Sequence, residues 1–337
     1  AMLELDPDIE VIGRASNGKE ALRMVFDLQP DVITLDLEMP EMDGFSFLRL
    51  LMNKRPTPVL VVSSHAAREN VFRALELGAL DFIPKPSSEV TPELRNIEQE
   101  LLSKIGMVRR LQAVRLRDRA LALQRTPRPV PSSEVGTASP PRCVVAIGAS
   151  TGGPPAVQQL LAAIPRALPV SIVIAQHMPA RFTRAFAERL DRIVALRVVE
   201  AEDGMPLLGG CAYVAPGSAH LELALVGDTV CARVTQATPG HATITPSADR
   251  LFRSCATIYG ARMCAVILTG MGSDGREGAA AAHAAGARVM VEDPRSAVMS
   301  GMPQSTIDAG VADEIASIEG LATTIVRFAQ GWAASAP

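Results

Sequence analysis

Cys143-Val-Val-Ala-Ile-Gly-Ala-Ser150-Thr-Gly-Gly-Pro-Pro155 is the stretch that decides the fold of this chain. An apolar, β-branched run ends at Gly148, two glycines follow Ser150, and prolines open an apolar-periodic segment. We expect a strand, a tight turn and a helix, which lift a serine hydroxyl above a sheet edge and bring helix N-terminal N–H groups beside it. The arrangement suits a nucleophile and its oxyanion. It suits equally a turn that binds the phosphate of a nucleotide.

Length and composition indicate two globular domains, since 337 residues exceed what one core usually holds. No apolar run reaches the length of a membrane span, so we expect no membrane insertion. The net charge of −3 gives no support for nucleic-acid binding. Five scattered cysteines without a C-x-x-C pair predict reduced thiols in a cytoplasmic protein and no metal site.

The amino-terminal part alternates short apolar runs with amphipathic segments, which predicts a parallel sheet with helices on both faces. Strands are predicted over residues 8–13, 31–36, 58–64 and 81–86. Asp36, Ser63 and Lys85 then fall at carboxyl ends of strands, where such sheets place functional groups. A carboxylate there can accept a phosphoryl group whose oxygens a hydroxyl and an ammonium bind. A structural Asp–Lys pair is the alternative.

Leu35-Asp36-Leu-Glu-Met-Pro-Glu-Met-Asp-Gly44, Val62-Ser63-Ser64 and Pro84-Lys85-Pro86 resemble a two-component receiver domain over about residues 8–86. The resemblance implies that Asp36 is the phospho-accepting aspartate, with Ser63 and Lys85 as the switch hydroxyl and lysine. It also implies Mg²⁺ for phosphorylation. Receivers begin with a central strand that ends in an acidic, Mg²⁺-binding pair, and both are missing before Met2-Leu-Glu-Leu. We therefore expect a truncated receiver, compromised in its sheet and in phosphorylation.

Residues 91–142 are predicted to be a linker between a receiver over residues 1–90 and a catalytic domain over residues 143–337. The first part is helical by its apolar periodicity and is arginine-rich toward its end. The second part, from Thr126 to Arg142, is rich in proline and serine and indicates a flexible connection. A basic helix can touch nucleic acid, but a solvated linker helix is favoured, because no nucleic-acid-binding motif accompanies it.

The carboxy-terminal part is predicted to be a doubly wound α/β domain with an antiparallel excursion over residues 194–235. Ser150, His177 and Asp274 each follow a different apolar strand, so they can converge at one sheet edge as nucleophile, general base and orienting carboxylate. The N–H groups of Thr151 and Met271 are the oxyanion candidates. His220 competes with His177 for the role of base. A surface histidine and a helix-capping aspartate are the plainer interpretations of His177 and Asp274.

Four motifs resemble the catalytic domain of the chemotaxis methylesterase (CheB) family. They are Ile147-Gly-Ala-Ser150-Thr-Gly-Gly153, Gln176-His177-Met-Pro179, Ala212-Tyr-Val-Ala-Pro-Gly217 and Leu268-Thr-Gly-Met-Gly-Ser-Asp274-Gly275. The resemblance implies hydrolysis of glutamate methyl esters, and deamidation of selected glutamines, on the cytoplasmic helices of chemoreceptors, without a cofactor for catalysis. It implies Ser150, His177 and Asp274 as the triad. It also implies a chemotaxis histidine kinase as phosphoryl donor and a receiver that covers the site until Asp36 is phosphorylated.

One position departs from the family pattern, in which an arginine commonly precedes the Pro-Ser-x-Asp segment. Thr245 stands there, before Pro246, so we expect the choice of substrate to be affected more than catalysis. Two other outputs stay open at this point. One is a receiver joined to a non-catalytic nucleotide-binding domain, although no Walker lysine follows Gly153. The other is a DNA-binding regulator, although no helix-turn-helix stands out.

Overall fold

The computed structural model describes residues 3–63, 68–85, 98, 101–106, 108, 117–118, 120–121, 139–237 and 244–334. The chain divides into two compact units, Ala1–Arg125 and Thr126–Pro337. Most of the linker predicted over residues 91–142 lies outside the described residues.

The first unit holds a parallel sheet in the strand order β1-β2-β3. Its elements are α1 (Gly18–Leu28), β1 (Ile33–Asp36), α2 (Gly44–Lys54), β2 (Val59–Ser63), α3 (Arg68–Glu76) and β3 (Asp81–Pro84). Asn17 and Asp43 begin the first two helices, because their side chains accept the N–H groups of Glu20 and Ser46 at 3.0 and 2.7 Å. The three helices, the three later strands and the parallel pairing agree with the prediction for this part of the chain.

The strand predicted over residues 8–13 does not form. Residues 9–15 have no ladder partner among the described residues, and Ile12 is 43% exposed. β-branched residues favour a strand only where a neighbouring strand pairs with the backbone and a core covers one face. The local pattern therefore predicted a strand for which the described residues provide no neighbouring strand to pair with.

The second unit is built on a parallel sheet in the order β12-β11-β10-β4-β5-β7-β6. Its strands are β4 (Cys143–Ala149), β5 (Val170–Gln176), β6 (Arg197–Glu200), β7 (Cys211–Val214), β10 (Met263–Ile267), β11 (Arg288–Glu292) and β12 (Glu314–Ala316). A separate antiparallel pair, β8 (Ala219–Val226) and β9 (Thr229–Gln236), completes the strands of the described residues. The predicted excursion is thus confirmed for its second half, whereas β6 and β7 extend the parallel sheet.

Helices cover both faces of this sheet, as a doubly wound fold requires. They are α4 (Gly153–Ala162), α5 (Ala180–Ile193), α6 (Ala248–Tyr259), α7 (Arg276–Ala284), α8 (Gly301–Asp308) and α9 (Ile318–Ala334). Alternate strand residues such as Val144, Ala146 and Val173 join α6, α7 and β8 in one buried cluster. Helices α4, α5 and α9 pack on the opposite side. Both faces of β4 and β5 are buried along their whole length, which explains their continuous apolar runs.

All five cysteines are free thiols, and none is more than partly exposed. Burial raises the pKa of Cys143 to about 12, so this thiol stays protonated. In the part of the chain that the structure covers, no helix is both long and apolar enough to cross a bilayer.

Candidate active site

Strand order brings the three predicted catalytic residues to one sheet edge. β10, β4 and β5 are adjacent and parallel, and their carboxyl ends lead to Asp274, Ser150 and His177. His177 Nε2 lies 2.8 Å from Asp274 Oδ2. The side chains of His177 and Asp274 are 13% and 6% exposed, and Ser150 is 9% exposed. The convergence inferred from strand ends is therefore present in the fold.

The Ser150 turn is held by backbone contacts. The Ser150 N–H donates to the Thr269 carbonyl at 3.0 Å, and the Ser150 carbonyl accepts the Gly153 N–H at 2.7 Å. Gly152 has a φ of +73°, and a Cβ there would lie 2.9 Å from Val298 Cβ. Only glycine fits that conformation and space without strain. Within the described residues the Ser150 hydroxyl makes no hydrogen bond to His177.

Helix α4 offers fewer donors beside the hydroxyl than the sequence suggested. Pro154 and Pro155 have no N–H, and the Gly153 N–H is already bound to the Ser150 carbonyl. A phosphate-binding turn needs several free N–H groups at this point. The prolines therefore weigh against the nucleotide-binding interpretation, and they also leave the start of α4 with few N–H groups that could bind an oxyanion.

Asp274 is fixed by four donors. Its Oδ2 accepts the Ala248 N–H at 2.7 Å in addition to His177. Its Oδ1 accepts the Ser247 hydroxyl at 2.9 Å and the Asp249 N–H at 3.1 Å. The carboxylate thus sits at the N-terminus of α6, where backbone N–H groups and the helix dipole favour negative charge.

These donors decide the charge of Asp274. Burial raises its pKa, but the hydrogen bond from His177 and those from the backbone outweigh burial and bring the pKa to about 2. A carboxylate that is ionised at neutral pH only accepts hydrogen bonds, so His177 Nε2 carries the proton. His177 Nδ1 is then the nitrogen left to act as a base.

Gln176 links the nucleophile turn to the histidine. Its Nε2 donates to the carbonyls of Ser150 and His177, at 3.0 Å in both cases. The side chain is buried and its Oε1 has no hydrogen-bond partner. A Cβ at position 153 would collide with this oxygen, which explains the second glycine of the turn.

The loop after β10 packs directly against the serine. A Cβ on Gly270 would lie 2.9 Å from Ser150 Cβ and would also collide with Met302. The Thr269 hydroxyl donates to the Thr151 carbonyl at 3.0 Å. The N–H of Met271 donates to no group in the described residues. Both oxyanion candidates, Thr151 and Met271, thus belong to segments that border Ser150.

His220 does not reach the position of the base. It is buried, and its Nδ1 accepts the Ser247 N–H at 3.2 Å. Burial lowers its pKa, with the nearby Arg250 acting in the same direction, so the ring stays neutral. The structure therefore places His220 behind the aspartate, with Ser247 between them.

In the first unit, Asp36 and Lys85 meet at the end of β1. Lys85 Nζ pairs with Asp36 Oδ2, and the Glu38 N–H donates to Asp36 Oδ1 at 3.1 Å. The side chains are 38% and 37% exposed, so both reach solvent. Ser63 is buried at the end of β2, and its carbonyl accepts the Lys85 N–H at 2.8 Å. The three predicted receiver residues therefore share one sheet edge.

No group of three or more His, Cys, Asp or Glu side chains suited to a metal ion occurs in the described residues. Asp36 already has Lys85 on one oxygen and a backbone N–H on the other. The described residues around Asp36 thus do not fit a Mg²⁺ site, which needs further oxygen ligands.

Sequence reasoning assigned no role to Ser247 or Gln176. A serine directly before a helix is a known N-cap signal, and Ser247 does accept the Arg250 N–H at 3.4 Å. Its contact with Asp274, like that of Gln176 with Ser150, joins residues more than 25 positions apart. A local sequence pattern cannot predict a contact between residues so far apart.

Comparisons with known proteins give matches to both units of the chain. A family model described as CheB methylesterase matches residues 145–325, and one described as a response regulator receiver domain matches residues 1–95. The chain is 43% identical to protein-glutamate methylesterase/protein-glutamine glutaminase 3 of Geobacter sulfurreducens, over 97% of this chain and 92% of that protein. It is 48% identical to protein-glutamate methylesterase/protein-glutamine glutaminase 6 of Anaeromyxobacter dehalogenans, over 95% of this chain and 88% of that protein.

The second unit also resembles a solved structure. The crystal structure of the Thermotoga maritima CheB methylesterase catalytic domain matches with a TM-score of 0.53 and 36% identity. The match covers 55% of this chain and 97% of that one.

Proposed function

Because the chain belongs to the CheB methylesterase family, with a receiver domain ahead of the catalytic domain, we propose that it hydrolyses glutamate methyl esters on chemoreceptors. The products are glutamate and methanol. Selected receptor glutamines are deamidated in the same way, with release of ammonia. The reaction serves chemotaxis adaptation, and its substrates are the cytoplasmic parts of methyl-accepting chemotaxis receptors, so the enzyme works in the cytoplasm.

Ser150, His177 and Asp274 carry out the chemistry in this proposal. His177 Nδ1 takes the Ser150 proton as the hydroxyl attacks the ester or amide carbonyl, and Asp274 stabilises the imidazolium. The imidazolium then protonates the departing methoxide or amide group, which leaves as methanol or ammonia, and an acyl-enzyme remains. Water, deprotonated by the same histidine, hydrolyses the acyl-enzyme and releases glutamate. The N–H groups of Thr151 and Met271 stabilise the oxyanion.

The short contact between His177 and Asp274, at the strand end beside Ser150, is the observation that carries the proposal. The test is methanol release from a chemoreceptor cytoplasmic fragment methylated in vitro, with Ser150→Ala as the control. Wild-type chain should release methanol and the variant should not. A serine-directed phosphonate should label the wild type alone. Methanol release that survives Ser150→Ala would refute the serine mechanism.

The receiver unit regulates this activity through Asp36, with a chemotaxis histidine kinase as the phosphoryl donor. Support comes from the receiver match and from Ser63 and Lys85 beside Asp36 at the sheet edge. The test compares methanol release by the whole chain and by residues 139–337 alone. Equal rates would contradict inhibition by the unphosphorylated receiver.

A further inference from the structure

The position of Asp274 depends on a helix that contributes no triad residue. Asp274 follows β10, yet three of its four donors belong to Ser247, Ala248 and Asp249 at the start of α6. The remaining donor is the catalytic histidine. Without the three contacts from α6, only the hydrogen bond with His177 would restrain rotation of the Asp274 carboxylate about its side-chain bonds.

Ser247 occupies the centre of this arrangement. Its hydroxyl donates to Asp274 Oδ1 at 2.9 Å and accepts the Arg250 N–H, so one oxygen both orients the aspartate and caps the helix. Its own N–H donates to Nδ1 of the buried His220. The serine is itself buried, which removes water as a substitute partner.

A second contact locks the same helix from the other side. The Asp249 carboxylate accepts the Gly278 N–H from α7. A Cβ on Gly278 would lie 2.7 Å from Asp249 Cα, so α6 and α7 are in close contact at this point. Asp274 precedes α7 and caps α6, while Asp249 lies in α6 and caps α7. Each helix start is thus held by a carboxylate from the other segment.

We infer that Ser247 is a positioning residue for the proposed reaction, which holds the Asp274 carboxylate in the orientation that reaches His177. His220 supports this role by fixing the Ser247 backbone. The inference rests on the proposed function, since Asp274 has a partner to orient only if His177 is the base.

The charged groups around Asp274 determine the direction in which loss of the Ser247 hydroxyl should shift the pH dependence of kcat/KM. Groups facing this region are His177, His220, Asp249, the Arg250–Glu222 pair and the Arg253–Glu277 pair. The two arginine–glutamate pairs are internally balanced. Without the Ser247 hydroxyl, Asp274 carries a less compensated negative charge, which favours the imidazolium. The acidic limb of kcat/KM then moves to higher pH.

The experiment uses the full chain and the methylated receptor fragment. Ser247→Ala should lower kcat about tenfold to a hundredfold, the range for a hydrogen bond to a charged group, with KM unchanged. Ser247→Gly should do the same, and it keeps most of the capping stability because glycine is tolerated at an N-cap. It therefore carries the test if Ser247→Ala does not fold. Ser247→Thr retains a hydroxyl and should recover most of kcat.

Ser254→Ala is the matched control. Ser254 lies on the same helix, and its hydroxyl ties α6 to β8 through the Leu223 N–H at 3.0 Å, but it makes no contact with Asp274. It should change thermal stability and leave kcat and the pH profile as in the wild type.

The outcomes separate the inference from the proposed function. Ser247 variants with wild-type kcat, or with an acidic limb that stays in place or moves to lower pH, overturn the inference alone. So does a Ser254→Ala variant that loses kcat as Ser247→Ala does, since the role would then be structural. A wild-type chain that releases no methanol overturns the proposed function and the inference with it.

Discussion

Asp36 ends a strand of a parallel sheet and Asp274 follows one, but the two aspartates differ in burial and in their hydrogen-bond partners. Asp274 is buried and accepts four hydrogen bonds, three of them from one helix start. Asp36 is 38% exposed and has one lysine and one backbone N–H as partners. A carboxylate surrounded by donors is oriented and stays ionised, while an exposed one can be approached by a reagent. The same topological position thus suits the proposed orienting role in one unit and the proposed phosphorylation in the other.

The same substitution at both sites gives the largest expected contrast. Asp274→Asn should lower kcat about 10³–10⁴-fold, because an amide in this cage of donors favours the wrong histidine tautomer. Asp36→Asn should leave basal methanol release within about twofold and abolish any response to a phosphoryl donor. The measurement is methanol release by each full-length variant, with and without donor.

Asp249→Asn is the control for charge near the site. The asparagine amide oxygen can still accept the Gly278 N–H, so only a modest loss of kcat is expected. Losses of equal size at positions 249 and 274 would show that negative charge, and not orientation, is what the site requires.

Two glycines of similar backbone conformation allow the packing around the Ser150 turn to be measured. Gly152 and Gly204 have φ values of +73° and +77°. A Cβ at position 204 meets nothing within 4 Å, while one at 152 lies 2.9 Å from Val298 Cβ. Gly204→Ala should cost about 1 kcal/mol for backbone strain alone. Gly152→Ala should cost about 1–3 kcal/mol more for the clash.

Urea unfolding of the second unit provides the measurement. If alanine lowers the free energy of unfolding equally at positions 152 and 204, the Ser150 turn can relax around the added Cβ. The turn would then be less rigid than the short distance to Val298 indicates.

Acid titration tests whether Asp274 is held in the ionised state. Its folded pKa of about 2 lies below the value near 3.9 of an unfolded aspartate. Its stabilisation, about 2 kcal/mol, is therefore present above about pH 4 and lost as the pH falls through about 2. Burial raises the pKa of Asp249, and the charge of Asp274 acts in the same direction, so Asp249 contributes to the pH dependence with the opposite sign.

The measurement is the difference in unfolding free energy between wild type and Asp274→Asn at pH 6 and near pH 2. The difference should narrow by about 2 kcal/mol on acidification. A difference that is independent of pH would contradict the depressed pKa.

Gln176→Leu is expected to have the smallest effect. It removes both donors between Ser150 and His177 and should lower kcat about tenfold with little change in KM. Gln159→Leu is the control, since Gln159 bonds Glu319 on the far side of α4. It should affect stability only. An unchanged kcat in Gln176→Leu would show that backbone contacts alone hold the two loops together.

Much of the fold followed from local pattern. Apolar runs ending in polar residues located Ser150, His177 and Asp274, and both family resemblances are confirmed. Strand adjacency did not follow, because it depends on packing between distant segments. For that reason the sequence predicted a strand at residues 8–13 and assigned β6 and β7 to an antiparallel region. Ser247 was recognisable as a cap but not as a partner of Asp274, which lies 27 residues away.

Helix α6, which holds Asp274, also connects the proposed triad to other elements of the second unit. α6 is joined to β8 through Ser254 and through the Arg250–Glu222 pair, and to α7 through Asp249. Strands β4 and β5 lead to the other two residues of the proposed triad. The proposed triad therefore needs segments from Cys143 to Ala284 to be assembled together, and an intermediate with only part of the sheet formed would not contain it. In a refolding experiment, esterase activity should therefore recover only once α6 has docked, and collapse of the core alone should not restore it.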